Sequence, residues 1–469
     1  MRVVALVNGL DGEEAARASY VLRTLLETLG LRHEATEHGF QIPDSTFQIR
    51  SPHSATSPEA VVEVACGPAM TADEAIHLHR RVASSDPSLL HAEGAHVRVE
   101  ANILAAAGLW LTGRDEDAVE RDPFGRIPGA ATPRAKAGLL ATPVVHDLMG
   151  LLWAALDRAA GAAGLALDRV PAWPEGRKFA VLLSHDVDLW RKRTARQLAK
   201  EVLRGLPRPW RLPAVVRAFC CGPDPWSHLD GIADIEERYG MRSTFFVLAG
   251  RPNQVANGVG VVNSYDARRE AISDTLRHLV ARGWEVGLHG SFDSYRSAEA
   301  LAGERRDVAA LAGAEVIGCR QHFLRFERPV TWRAQAEAGL SYDATLGYYD
   351  TDGYRAGFSF PFRPWVGEEL PLLELPLVVM DGALLEQQGM DAQAAWERVR
   401  RYLERTEADG SMLSLLWHNT HFCELDAPGY RGVYERALGW TREHGGWGAP
   451  ARDIADWWSR RTAQLTTRR

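Results

Sequence analysis

Between residues 179 and 417, short apolar runs alternate with longer segments whose apolar residues recur at helical spacing. The runs are Phe179–Ser184, Ser243–Leu248, Trp284–Leu288, Val316–Cys319, Tyr342–Leu346, Leu372–Met380 and Ser411–Trp417. Each is short enough for a strand and too short for a stable helix. Helical spacing occupies His228–Tyr239, Ala267–Arg282, Ala298–Ala312 and Ala392–Glu407. Strands that alternate with helices predict a parallel sheet, and seven or eight such units close into a barrel.

The first 170 residues read differently. Arg2–Asn8, Ala60–Cys66 and His96–Ala101 have strand character, and Tyr20–Leu31 and Val144–Ala160 have helical spacing. This predicts a separate mixed α/β domain over 1–170, whose role the pattern does not give. Pro171, Pro174 and Gly176 then punctuate the chain before the first barrel strand, which opens a second domain over 171–469.

Composition narrows the class. Hydrophobic residues make up 46% of the 469 positions and charged residues 25%, the balance of a globular protein. With 54 basic and 61 acidic residues the formal charge is −7, so no nucleic-acid partner is expected. The five cysteines contain no C-x-x-C spacing, which argues against a disulfide framework and against a cysteine zinc site. The N-terminus lacks signal-peptide character and no long apolar run occurs, so a cytoplasmic location is expected. One insertion, 191–217, carries nine Lys or Arg against the single acid Glu201, with Trp210, Leu212 and Val215 interleaved. It reads either as a solvated face or as a contact for anionic membrane lipid or a diphosphate group, and lipid contact would place the protein at the inner membrane face.

In a βα barrel the chemistry sits at the carboxyl ends of the strands. AVLLSHDVD stops at His185, Asp186 and Asp188, and WEVGLHGSFDSY stops at His289 with Asp293 four residues on. VIGCRQHFLRF stops at Arg320, His322 and Arg325, and SMLSLLWHNTHF stops at His418. Four abrupt changes from apolar to ionisable on one rim fit a metal hydrolase. His nitrogen and carboxylate oxygen suit a divalent metal such as zinc, and one of two alternating carboxylates can act as base. A helical turn after His289 would bring Asp293 to the same metal. Tyr348 and Trp417 are candidate platforms for a sugar ring.

These motifs resemble the polysaccharide deacetylases, the NodB-type or carbohydrate esterase family four proteins. SHDVD resembles their first motif, HGSFD the second, RQHFLRF the third and LLWHN the last, over roughly residues 175–450. The resemblance implies a distorted (β/α) barrel of seven strands and hydrolysis of an N-acetyl group from an amino sugar. It makes Asp186 the general base, Asp188 and His289 metal ligands, Arg320 the residue that holds the base, and His418 the general acid. In this sequence Asp293 stands where the family has a second ligand histidine, Val187 separates the two acids, and His322 stands where the family has proline. Asp293 is therefore expected as the third ligand, with His322 and Arg325 left for substrate. The expected function is a metal-dependent deacetylase acting on an N-acetylated carbohydrate. The alternatives are a barrel amidase on a small non-sugar C–N bond, a glycosidase, and an inactive carbohydrate-binding homologue.

Overall fold

The computed structural model describes residues 2–6, 12–36, 39–41, 60–205, 210, 212–249, 265, 267 and 272–466. It contains two sheets. The first comprises β1 (Arg2–Leu6), β2 (Glu34–Thr36), β3 (Gly39–Gln41), β4 (Val61–Ala65), β5 (Leu90–Glu93) and β6 (His96–Val99), in the order β2-β3-β1-β4-β6-β5. Its centre, β1-β4-β6, is parallel, and its outer pairs are antiparallel. The second sheet comprises β7 (Ala180–Val187), β8 (Thr244–Leu248), β9 (Glu285–Gly290), β10 (Gly318–Gln321), β11 (Tyr342–Asp343), β12 (Leu373–Glu374), β13 (Val379–Met380), β14 (Met412–Leu416) and β15 (Trp447–Ala449).

In the second sheet the order is β12-β11-β10-β9-β8-β7-β14-β13, every pair is parallel, and β15 adds to the start of β7. The sequence expected one strand over Leu372–Met380. Pro376, which has no N–H to donate, divides it into two short pieces. The link between them closes the ring. The Leu375 and Leu377 N–H groups bond to Asp343 and Leu346 on the β11 side, and the Val378 N–H bonds to Ser414 on β14. Counted as one staggered strand, 373–380 makes seven positions around a distorted (β/α)7 barrel.

The helices follow local chemistry. Ser297 caps Ala298–Ala312 by accepting the Ala300 N–H, and Asp391 caps Ala392–Asp409 through the Ala394 N–H. Both helices end on a glycine in the left-handed region, Gly313 at φ 65° and Gly410 at φ 62°. β7 is buried along its whole length, the mark of a parallel strand covered on both faces. Two helices that the sequence reading did not anticipate, Tyr430–Glu443 and Ala451–Leu465, complete the outer layer.

One apolar core runs through both sheets, joining Val62, Val64 and Val97 to Leu182, Phe246 and Leu288. A buried polar network adds to it. Glu116 accepts from Arg355 Nη2 at 2.9 Å and from Arg328 Nη2 at 3.2 Å. Arg134 pairs with Asp115 at 3.2 Å and donates to the Tyr348 hydroxyl at 3.1 Å. Asp350 accepts the Gly129 N–H at 2.8 Å. Residues 115–134, which carry no recognisable pattern in the sequence, are thus built into the loops that follow β10 and β11.

Candidate active site

The period of two along β7 sends Ser184, Asp186 and, just past the strand end, Asp188 to one side. His185 points the other way, between Glu236 Oε1 at 2.7 Å and the Trp417 carbonyl at 2.7 Å. Arg320, fully buried at the end of β10, donates from Nη1 to Asp186 Oδ1 at 3.0 Å and to Ser184 Oγ at 2.8 Å. Its Nε donates to the Ala344 carbonyl at 2.9 Å, and its guanidinium carbon lies 4.6 Å from the centre of the Phe246 ring. These contacts fix the cation, so Asp186 is buried as a paired carboxylate.

His289 sits opposite Arg320 in the β9–β10 register. Its Nδ1 lies 2.8 Å from the Arg320 carbonyl oxygen. A carbonyl only accepts, so Nδ1 carries the proton and Nε2 faces Asp188 Oδ1 at 3.1 Å. His322 brings its Nδ1 within 3.0 Å of His289 Nε2 and 3.3 Å of Asp188 Oδ1. Ligand atoms of Asp188, His289 and His322 lie within 4.8 Å of one another. Two imidazole nitrogens and one carboxylate oxygen form the donor set of a three-ligand catalytic zinc site. The backbone carbonyl that fixes the His289 tautomer is the kind of outer partner that metal-bound histidines keep.

The local field also suits a cation. Burial pushes the Asp188 carboxyl up, but the His322 and His289 rings outweigh it and hold the group well below the ordinary carboxylate range. Burial pulls His289 down, but Asp186 and Asp188 outweigh it and raise its pKa. Backbone geometry aims the third donor. Phe323 and Leu324, directly after His322, hold φ of 61° and 51°, a left-handed conformation that bulky residues rarely adopt. The His322 ring stands edge-on to Phe323 at 4.6 Å and to His289 at 4.9 Å. Strain of this kind persists where surrounding contacts over-determine it.

His418 follows β14 with its Nε2 3.6 Å from Asp188 Oδ2. Its Nδ1 donates to Asp381 Oδ1 at 2.6 Å, and its backbone N–H donates to Asp381 Oδ2 at 2.6 Å. Asp381 also accepts from His421 Nδ1 and from the Gly382 N–H, both at 2.7 Å. Asp381, His418 and His421 form a second cluster with ligand atoms close together. Each Asp381 oxygen already accepts two hydrogen bonds, so this cluster reads as a brace for protonated rings. Burial pulls the His418 pKa down, but Asp381 outweighs it and the ring is pushed up to about 10. His421 rises to about 9, with Asp381 again outweighing burial. His418 therefore carries a proton at neutral pH.

Raised histidine values have a consequence for stability. A histidine whose folded pKa lies above its unfolded value of about 6.5 stabilises the fold fully below that pH. The contribution is lost as pH rises through about 9 and about 10, the values of His421 and His418. Denaturant unfolding at pH 6.5 and pH 9.5 is therefore expected to give a lower stability at the higher pH. Asp381→Asn is expected to be less stable at pH 6.5 and to lose most of this pH dependence. An unchanged slope in the variant would show that Asp381 does not hold the two protons.

The structure brings Asp186, Asp188, His289, Arg320 and His418 to one rim, with His322 and Asp381. It places five other residues differently from what the sequence led one to expect. The helical turn after His289, Ser294–Arg296, begins only past Asp293. The chain leaves β9 through a turn at Phe292–Asp293, and the Asp293 side chain is 81% exposed and paired with Arg325 at 2.8 Å. His322 instead lies beside His289 and Asp188, at 3.0 Å and 3.3 Å. Arg325 is occupied by Asp293, by the Tyr295 hydroxyl at 3.1 Å and by the Phe124 carbonyl at 2.9 Å, so it clamps loops and does not face substrate. Tyr348 is buried, its hydroxyl held between Arg134 and Glu116. Trp417 is fully buried against Tyr430 and Tyr434. Alternation along the strand explains the last case, because its neighbours Leu416 and His418 face the other way. Asp381, which the sequence reading missed, carried a signal: the apolar run Leu372–Met380 stops at it just as the other strands stop at theirs.

No family model matches the sequence, and no curated protein matches it. Solved structures do. A candidate polysaccharide deacetylase from Mycobacterium smegmatis is 21% identical, with 64% of this chain and 97% of that chain covered and a TM-score of 0.43. The allantoinase Puue is 18% identical over 63% of this chain and 95% of its own, with a TM-score of 0.43. The peptidoglycan deacetylase PdaC from Bacillus subtilis is 13% identical over 62% and 95%, with a TM-score of 0.33.

Proposed function

We propose that this chain is a metal-dependent hydrolase that removes the N-acetyl group from an amino sugar of a polysaccharide or its precursor. The observation that carries the reading is the convergence of Asp188, His289 and His322 beside an arginine-held carboxylate and a protonated histidine. Asp188, His289 and His322 would hold the divalent metal, and the donor set favours zinc. When bound, such a metal polarises a carbonyl and lowers the pKa of water.

The remaining steps belong to the chain's own residues. Asp186 takes a proton from the attacking water, whose oxygen forms the new bond to the acetamide carbonyl carbon. Arg320 keeps Asp186 in place through its Nη1 hydrogen bond to Oδ1. The C–N bond then breaks, and His418 gives its Nε2 proton to the departing nitrogen. The products are acetate and a free amino sugar. The two acids leave the same strand, and both approach His289 Nε2, at 3.7 Å and 3.1 Å. A glycosidase needs its acids across the sugar from each other, so this arrangement favours acyl chemistry.

The test is acetate release from N-acetylhexosamine oligomers by metal-loaded protein. Acetate and new amine are expected in equal amounts, lost with a chelator and regained with zinc. Cleavage of small non-sugar amides with no acetate from the oligomers would replace this reading with the amidase. Glycan binding without turnover in the metal-loaded protein would replace it with a binding protein.

A further inference from the structure

The catalytic rim does not account for the insertion that leaves it three residues after Asp188. Among the described residues, seven large hydrophobic side chains stand exposed, and six belong to this one insertion. They are Leu198, Val202 and Leu203 on the helix Ala195–Gly205, then Trp210, and Leu212 and Val216 on the helix Leu212–Cys220. Leu203 is 67% exposed and Trp210 72%. A patch of this kind on a soluble surface marks a contact site.

Charge indicates what covers it. Arg191, Arg196, Lys200 and Arg217 are exposed beside these apolar residues. The sequence adds Arg204, Arg208 and Arg211. The single acid, Glu201, is turned inward at 2% exposure, so the outer face of the first helix presents no carboxylate. Two cations serve the fold. Lys192 is buried against Asp426 at 2.7 Å, and Arg193 donates to the carbonyls of Ala218 at 3.0 Å and Gly222 at 2.7 Å, which ties the two helices together. The insertion is thus a braced element with an outward face of cations and apolar side chains. Amphipathic helices that lie in a membrane interface combine these two features. No helix among the described residues is long and apolar enough to cross a membrane.

We infer that helices Ala195–Gly205 and Leu212–Cys220 dock this protein onto an anionic lipid bilayer. Leu198, Val202, Leu203, Trp210, Leu212 and Val216 enter the headgroup–acyl boundary, and the flanking cations meet lipid phosphates. A second copy of the chain is a poorer occupant, because a two-fold interface would set this cationic patch against itself. Docking also fixes the rim. The Asn419 side-chain amide, next to His418, donates to the carbonyls of Leu189 at 2.7 Å and Trp226 at 2.6 Å, on both sides of the insertion. These bonds tie the His418 turn to the base of the insertion. If the hydrolase reading stands, the substrate class follows: an amino sugar carried on a lipid.

The test is co-sedimentation of the full chain with phosphatidylglycerol–phosphatidylcholine vesicles and with pure phosphatidylcholine vesicles, at low and high salt. Binding to the anionic vesicles alone, weakened by salt, is expected. Each basic residue near such a surface is worth about fivefold in partitioning, so the double variant R196E/K200E is expected to bind more than about tenfold more weakly. Trp210→Ser combined with Leu203→Ser is expected to reduce binding at both salt concentrations. These side chains are exposed, so a matching thermal melt shows that each variant folds. Equal binding to neutral vesicles, or none to either, overturns the proposal. Loss of a dimer in the Trp210→Ser, Leu203→Ser variant, with no vesicle binding by the parent, assigns the face to a second copy. The assay uses no turnover, so its failure leaves the hydrolase reading untouched.

Discussion

Asp186→Asn is expected to lower kcat by about 10³-fold, the range a positioned general base supplies, with metal content and fold unchanged. The amide keeps the size of the carboxylate and can still accept from Arg320 through its oxygen, so the Arg320 guanidinium stays in place. It cannot take a proton from water. Asp186 approaches His289 Nε2 at 3.7 Å, longer than the 3.1 Å of Asp188, so its removal leaves the three-donor cluster complete. The measurement is kcat for acetate release together with metal per chain and a thermal melt. Wild-type turnover in a folded, metal-loaded variant would remove Asp186 as the base. Loss of metal together with activity would make it a ligand instead.

The second large effect separates His322 from Asp293, the residue that the sequence alone puts forward as the third ligand. His322→Ala is expected to weaken metal affinity by at least about 100-fold, beyond what loss of an outer partner of a ligand costs. Asp293→Ala is expected to keep the metal, because its carboxylate is 81% exposed and bound to Arg325. Elemental analysis of both purified variants after dialysis against limiting zinc decides the matter. Metal retained in His322→Ala and lost in Asp293→Ala would return the ligand position to Asp293. The two variants also separate a folding defect from a ligand defect, since both residues lie in loops of the same rim.

Much of the barrel is legible in the sequence, since parallel strands covered on both faces must be continuous apolar runs. Ala298–Ala312 is bounded by a serine cap and a glycine stop, and both are visible as residues. The first-strand acids are legible too, because a period of two places Asp186 and Asp188 on one side. The third proposed ligand, His322, is not. Its position depends on Phe323 and Leu324 adopting left-handed backbone, which their side chains disfavour and only tertiary packing imposes. Aromatic roles are hidden for a related reason. Whether Trp417 or Tyr348 faces a cavity or the core depends on strand orientation and on a partner such as Arg134, 214 positions away in the chain. Asp381 lies between these cases. Its strand is split by Pro376, so the apolar-to-ionisable change that marks it is easily taken for a loop.

The carboxylate of Glu116 has a consequence for how the protein can be dissected. It is the partner of Arg355 and Arg328, which follow β11 and β10. A fragment trimmed to 171–469 would retain every group proposed for hydrolysis and still lose this anion. Arg355 and Arg328 would then lose the carboxylate that holds both of them. The amino-terminal third thus braces the loops at the mouth of the barrel, and recombinant work on catalysis is best done with the whole polypeptide.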